Sequence, residues 1–202
     1  MISLNESIEK TTMPTKTFLL RYLLTVCSFA CAYFGLYVVQ MNVMAEFEFL
    51  PMASILFLPA GVKFLAMLVG RTAGVGGVVV GIALVNHVTA EAENYIHINM
   101  FAMVLWLLLP YVLLRVYLNA RGHGKHLRTL TAFDVAVLTI MVSFVGSLGA
   151  QLYWYEWNTP VAPLLRVIWV MFIGETSGIF LMLGIVIVIR RLFFHDTRNH
   201  KP

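Results

Sequence analysis

Long apolar runs alternate with short polar segments along this chain of 202 residues. A helix needs about 20 mostly apolar residues to cross the hydrocarbon core of a bilayer. The runs that approach this length predict six transmembrane helices, at residues 17–41, 51–70, 73–88, 96–118, 130–153 and 161–189. The pattern therefore predicts an all-α, polytopic membrane protein.

The polar segments divide the chain into one membrane domain and two tails. Residues 1–16 and 193–202 are polar and predict short tails, while residues 17–192 predict a single six-helix transmembrane domain. Six crossings with short connections use nearly the whole chain, because each crossing takes about 20 residues. We therefore expect no separate soluble domain.

Charged residues in the predicted connections separate by sign, and this separation predicts an orientation. The loops on one side contain no lysine or arginine but five glutamates, Glu46, Glu48, Glu91, Glu93 and Glu156. The other side carries eleven basic residues: Lys10, Lys16, Arg71, Arg115, Arg121, Lys125, Arg128, Arg190, Arg191, Arg198 and Lys201. Cytoplasmic segments of membrane proteins are enriched in Lys and Arg. Both termini are therefore predicted to be cytoplasmic, in a bacterial inner membrane.

Composition favours the same class and argues against others. The chain is 60% hydrophobic and 12% charged, whereas soluble domains contain about 25% charged residues. The net charge of +4 is explained by the cytoplasmic basic residues, so we expect the lipid bilayer as a partner and no nucleic acid. A nucleophile elbow, an HExxH motif and a P-loop are all missing from the sequence. We expect neither enzymatic activity nor a cofactor.

Two ionisable residues within the apolar runs are the main candidates for function. Lys63 lies in the second predicted span and Glu175 near the middle of the sixth. An ionisable group inside a span costs a few kcal/mol, so it usually faces a partner or a cavity. These two residues either form a buried pair lining a polar cavity or serve structure alone. In the structural interpretation they form a salt bridge, or Lys63 extends to the inner headgroups.

The sequence Pro59-Ala60-Gly61 interrupts the second predicted span just before Lys63. Proline removes a backbone donor, and glycine tolerates unusual dihedral angles. The span is therefore either two half-helices or one helix with an ordinary proline kink. The N-terminus of a half-helix inside a membrane favours an anionic group. Pro59 and Gly61 are thus predicted to belong to a ligand site with Lys63 and Glu175.

Glycines recur at spacings that allow close approach of helices. The positions predicted to pack against other helices are Gly70, Gly74, Gly77, Gly81, Gly174 and Gly178. Near the outer end of the third span, His87 could contact a ligand, sense pH or bind a metal together with Glu91. Because no ligand geometry is fixed, we predict no metal site and retain His87 as a ligand-binding candidate.

The segment FLPAGV at residues 57–62, the Gly70-Arg71 turn and the glycine-rich third helix resemble the MASE1 integral membrane sensory domain. That family has a tryptophan-proline-x-x-glycine-like helix start and a glycine–basic turn. It also has a late tryptophan, acidic residue and glycine, and Trp169, Glu175 and Gly178 stand in this order here. The similarity covers roughly half of the chain.

The resemblance implies a sensory module whose polar site contains Lys63 and Glu175. The chain departs from the family in three ways: its aromatic residue, Phe57, stands two positions before the proline; a glutamate replaces the usual aspartate; and six predicted spans replace the usual eight. Such domains usually precede a diguanylate cyclase, phosphodiesterase or histidine kinase, and none occurs in this sequence. The resemblance therefore implies a stand-alone sensor that signals through a separate protein.

Three hypotheses for function follow. The first is a non-enzymatic, sensor-like or accessory protein that binds a small ligand or a partner helix within its helix bundle. This protein would act on another membrane or signalling protein, or assemble with copies of itself. The second is a substrate-binding or accessory subunit of a membrane transporter, similar in size to those of energy-coupling-factor transporters. The third is a structural subunit of a larger membrane assembly, held through its glycine faces.

Overall fold

The computed structural model describes residues 15–43, 48–50, 53–89, 100–123, 127–157 and 164–194. Within these residues there are six α-helices: α1 (Thr15–Val43), α2 (Leu58–Leu65), α3 (Arg71–Thr89), α4 (Met100–Ala120), α5 (Ala132–Trp157) and α6 (Leu164–Phe194). Two short antiparallel strands, β1 (Glu48–Leu50) and β2 (Ala53–Ser54), form a hairpin before α2. The predicted helical class is confirmed. Most of the two tails, and the loops around Glu46, Glu91 and Glu93, lie outside the described residues.

The helices have the composition of a membrane-embedded protein. By length and composition alone, four helical segments are apolar enough to cross a bilayer: Lys16–Val43, Leu58–Val88, which turns at Arg71, Ala132–Gly149 and Leu165–Phe193. Large apolar side chains are exposed along them, and those of Leu192 and Phe193 are 73% and 75% exposed. Such a surface is compatible with lipid and unfavourable in water.

The second predicted span is helical only in its second half. Residues 53–57 are not helical, and α2 begins at Leu58, with proline in its first turn. The backbone groups of this non-helical segment find partners in α6: the Phe57 N–H donates to the Gly174 carbonyl at 3.0 Å, and the Ile55 carbonyl accepts from the Ser177 hydroxyl at 2.8 Å. Non-helical backbone at membrane depth is tolerated only where protein or a water-lined cavity surrounds it. The prediction of a helix over 51–57 was therefore wrong for the described residues.

The chain reverses direction sharply at Arg71, as predicted. After α2, a π-helical turn covers Ala66–Gly70, and Arg71 then adopts a positive φ of 54°. Gly74 packs against the backbone of Ala66. Residues eight apart in a straight helix would be about 12 Å apart along its axis. The segment Leu58–Val88 is thus a helical hairpin.

The short helix α2 lies at the centre of the packing. All of its residues except Leu65 are buried. It contacts α1 and α6, while α1 packs along α3 and α5 packs between α4 and α6. Gly77 and Gly81 of α3 lie directly against the backbone and side chains of α1. The chain therefore places Lys63 on the most enclosed helix of the bundle.

Candidate functional site

The structure joins Lys63 of α2 to Glu175 of α6. The Lys63 Nζ lies 2.6 Å from the Glu175 Oε1, and the two residues are 0% and 1% exposed. Lys63 follows Pro59 by one helical turn, and Glu175 follows Gly174, the residue whose carbonyl anchors Phe57. The attachment of the non-helical segment to α6 therefore sets the register that brings the two charges together.

Trp106 and Gly146 complete the surroundings of the lysine. The Lys63 ammonium lies 4.4 Å from the centroid of the Trp106 ring, a geometry that stabilises a desolvated cation. The Trp106 Nε1–H donates to the Gly146 carbonyl at 2.5 Å. A Cβ at Gly146 would lie only 2.7 Å from the Glu175 Oε2 and 3.2 Å from the Lys63 Nζ. Glycine at this position on α5 gives the ion pair its space.

The Glu175 carboxylate has unused hydrogen-bonding capacity. Its Oε2 is buried and has no hydrogen-bond partner among the described residues. Tyr33 of α1 is 3% exposed and belongs to the buried core. An ionised carboxylate can accept about four hydrogen bonds, so Oε2 offers a strong acceptor to any donor that reaches it.

Gln40 of α1 occupies the N-terminus of α2. Its Oε1 accepts from the Leu58 N–H at 3.2 Å, and its Nε2 donates to the Ser54 Oγ at 3.2 Å. The Ala60 N–H donates to the Phe57 carbonyl at 3.1 Å. These partners lie at the helix end where the half-helix alternative favoured an anionic group. Gln40 was visible in the sequence as an amide inside an apolar run, but its role depends on a contact 18 residues away.

The predicted packing glycines of α6 face the non-helical segment and α2. A side chain at Gly174 would overlap the Ser54 carbonyl, and one at Gly178 would overlap the Phe57 carbonyl. Gly61 of α2 packs against Met182 and the Gly178 carbonyl. Pro59 and Gly61 are both buried. They shape the path of the chain, and neither contributes a polar side chain to the ion pair.

His87 and Trp169 are exposed, whereas Lys63 and Glu175 are buried. His87 is exposed near the end of α3, although its neighbour Asn86 is buried. Trp169 is 57% exposed on α6 and packs edge-to-face on Phe172, with ring centroids 5.8 Å apart. Of the five predicted ligand-binding residues, all of them described, the structure brings together the ionic groups of Lys63 and Glu175.

A second buried carboxylate, Asp134 near the start of α5, was missed in the sequence. Its Oδ2 accepts from the Thr131 N–H at 3.1 Å and from the Thr131 hydroxyl at 2.6 Å. Its Oδ1 accepts from the Tyr117 hydroxyl at 2.9 Å and from the Arg121 guanidinium at 3.3 Å. The Thr-x-x-Asp spacing at residues 131–134 is a helix N-terminus signature that could have revealed it.

Searches for related proteins return nothing that bears on identity. No family model, curated protein or solved structure significantly matches this chain. The resemblance to the MASE1 domain therefore stays a prediction, and function has to be argued from the geometry of the site.

Proposed function

We propose that this chain is a membrane-embedded, sensor-like protein without catalytic activity. It binds a polar ligand, or a polar group of a partner helix, at the Lys63–Glu175 pair. The observation that carries this proposal is the free Oε2 of Glu175, buried beside a fixed ammonium group. No protein group among the described residues donates to this oxygen, so its acceptor capacity is open to a ligand that carries a donor.

The ion pair favours a ligand with a hydrogen-bond donor and little net charge. Lys63 already neutralises the Glu175 carboxylate, so a strongly charged ligand would bring an uncompensated charge into a desolvated site. The Trp106 ring beside the lysine adds a flat apolar surface. A small neutral molecule with a hydroxyl or amide group and an apolar body satisfies both features.

The proposed topology has six crossings, with both termini in the cytoplasm of a bacterial cell. The second crossing combines residues 53–57 with the helical residues 58–70. The non-helical part measures at most roughly 16 Å and the helical part roughly 20 Å, which together match a hydrocarbon core of about 30 Å. The separation of charges in the sequence supports the same arrangement.

The proposal accommodates the MASE1 resemblance in part. Glu175 and the segment around Pro59 meet at one site, as a shared sensory function would require. Trp169, the late tryptophan of the resemblance, is exposed on α6, where it is available to lipid or to a partner. Signalling by this chain would then pass to a separate membrane or signalling protein, or through a homo-oligomer.

A transport subunit is the second candidate function. The specific observation in its favour is the half-helix α2, which follows non-helical chain buried against α6. Discontinuous helices of this kind form substrate sites in many secondary transporters. Uptake of a solute by cells that depends on this chain, and is lost in Glu175→Gln, would favour transport over sensing.

Photo-crosslinking at two tryptophan positions tests the binding proposal. A benzoyl-phenylalanine at Trp106 lies beside the ion pair, and the same group at Trp169 lies on the exposed face of α6. After irradiation of whole membranes, we expect a small-molecule or protein adduct at position 106 and lipid adducts at 169, identified by mass spectrometry. Lipid adducts alone at both positions would contradict the proposal.

A further inference from the structure

The inner face of α5 carries a row of buried hydroxyl groups that leads to the ion pair. Thr139, Ser143 and Ser147 follow one another at intervals of four residues, and all three are 0% exposed. Intervals of four place side chains on the same face of a helix. Gly146, which adjoins the Glu175 Oε2, lies one turn beyond Ser143 on α5.

The hydroxyls of Thr139 and Ser143 lack hydrogen-bond partners among the described residues. The Ser147 hydroxyl differs, because it donates to the Ser143 carbonyl at 2.8 Å. A buried polar group without a partner costs about 1–3 kcal/mol. Thr139, Ser143 and the Glu175 Oε2 are thus three buried polar groups without a partner among the described residues. The two hydroxyls can donate and accept, and the carboxylate oxygen can accept.

The spacing of these groups fits bridging water. Side chains four apart on a helix have Cβ atoms roughly 5–6 Å apart, and their hydroxyl oxygens, one bond further out, are within the reach of two hydrogen bonds of about 2.8 Å through one water. A Cβ at Gly146 would lie 2.7 Å from the Glu175 Oε2. The Cβ position at Gly146 is roughly 5–6 Å from the Cβ of Ser143, because the two residues are three apart on the helix. The Glu175 Oε2 therefore lies beside the next position along the same face of α5.

We propose that bound water molecules bridge Thr139, Ser143 and the Glu175 Oε2 along the inner face of α5. This row of bridging water molecules, the water file, gives the ion pair a polar route toward the N-terminal end of α5, at Ala132. A ligand that reaches Glu175 displaces the last water and takes over its hydrogen bond. The water file concerns the unliganded carboxylate and does not depend on the proposed function.

The proposal is tested by radiolytic footprinting of the full chain in lipid nanodiscs. Hydroxyl radicals generated from bound water by an X-ray pulse oxidise the side chains beside that water. Cysteine is the probe, so Cys27 and Cys31 are first replaced by alanine. Ser143→Cys and Val142→Cys then form a matched pair, because both native residues are 0% exposed and adjacent on α5.

We expect oxidation of Ser143→Cys to exceed that of Val142→Cys by roughly tenfold, because a thiol at position 143 keeps a weak donor and acceptor beside the water, whereas position 142 has an apolar native side chain and holds no water. Thr139→Cys and Leu138→Cys provide a second pair if either variant of the first pair folds poorly. Equal oxidation within the folded pairs, whether high or at background, would overturn the water file. That result is independent of the adduct at position 106, so the two proposals fail separately.

Discussion

Two buried carboxylates in this protein are held in contrasting ways. Asp134 accepts hydrogen bonds from Thr131, Tyr117 and Arg121, and both of its oxygens are used. Glu175 accepts from Lys63 through Oε1, while Oε2 has no partner among the described residues. A fully bonded carboxylate stabilises a helix end and a loop. A partly bonded one retains the capacity to bind.

The two carboxylates also differ in how far their partners lie along the chain. The partners of Asp134 are at most 17 residues away, so local structure assembles most of that cluster. Lys63 is separated from Glu175 by 112 residues. The Glu175 site forms only when α2 and α6 have packed, and its geometry therefore depends on the tertiary fold.

The largest expected difference between the two sites comes from removing their cations. Lys63→Met leaves a buried carboxylate without compensation, and we expect it to lower the free energy of unfolding by about 3–5 kcal/mol. Arg121→Met should cost less than about 1 kcal/mol, because the Arg121 side chain is 54% exposed and Asp134 keeps its other donors. Denaturation with sodium dodecyl sulfate in mixed micelles measures both values.

The double variant Lys63→Met with Glu175→Gln is the control for this comparison. Removing both charges relieves the uncompensated one, so most of the lost stability should return. Equal losses in the free energy of unfolding for Lys63→Met and Arg121→Met would show that the two carboxylates depend equally on their cations, contrary to the structure.

The next largest effect concerns the attachment of the non-helical segment that positions Lys63. A methyl group at Gly178 would overlap the Phe57 carbonyl, so Gly178→Ala should destabilise the protein by about 1–3 kcal/mol. Gly184→Ala is the matched control on the same helix, because nothing lies within 4 Å of its added Cβ. Alanine is the better helix former, so this control should be neutral or stabilising. Thermal unfolding in detergent measures both variants. Equal unfolding temperatures for Gly178→Ala and Gly184→Ala would contradict the close contact between Gly178 and Phe57.

A smaller effect is expected at the Asp134 cluster. Thr131→Ala removes the hydroxyl that bonds Asp134 and accepts from the Asp134 N–H. Loss of such a helix cap costs about 1 kcal/mol, and Thr131→Ser should restore it. Because the cluster is local, crosslinking from position 106 should be unchanged in Thr131→Ala. A loss of the adduct there would link the two sites in a way that the structure does not predict.

Much of the fold follows from the distribution of apolar and charged residues. Runs of sufficient length identify the helices, and an arginine between two apolar runs marks the turn at Arg71. The pairing of Lys63 with Glu175 was also open to prediction, because isolated charges in apolar runs need partners. The non-helical conformation of residues 53–57 could not be predicted, because a short apolar run looks the same in the sequence whether it is helical or extended.

The rest of the site was hidden because its residues are individually ordinary. Trp106 and Gly146 look like common residues of membrane helices, and only the packing of α4 against α5 brings them to Lys63. Gly174 and Gly178 were predicted to admit another helix. Gly178 packs against α2 through Gly61, and both glycines also admit the backbone of residues 54–57, which a spacing rule cannot distinguish from a helix.

The central claim is that Glu175, and not Asp134, has an oxygen available for binding. Crosslinking from benzoyl-phenylalanine at Trp106, measured side by side in Glu175→Gln and Asp134→Asn, tests it most directly. A hydrogen bond to a charged group contributes about 1.5–3 kcal/mol, so the adduct yield should fall by about tenfold or more in Glu175→Gln. It should stay unchanged in Asp134→Asn at equal amounts of folded protein. Equal yields in the two variants would contradict the claim.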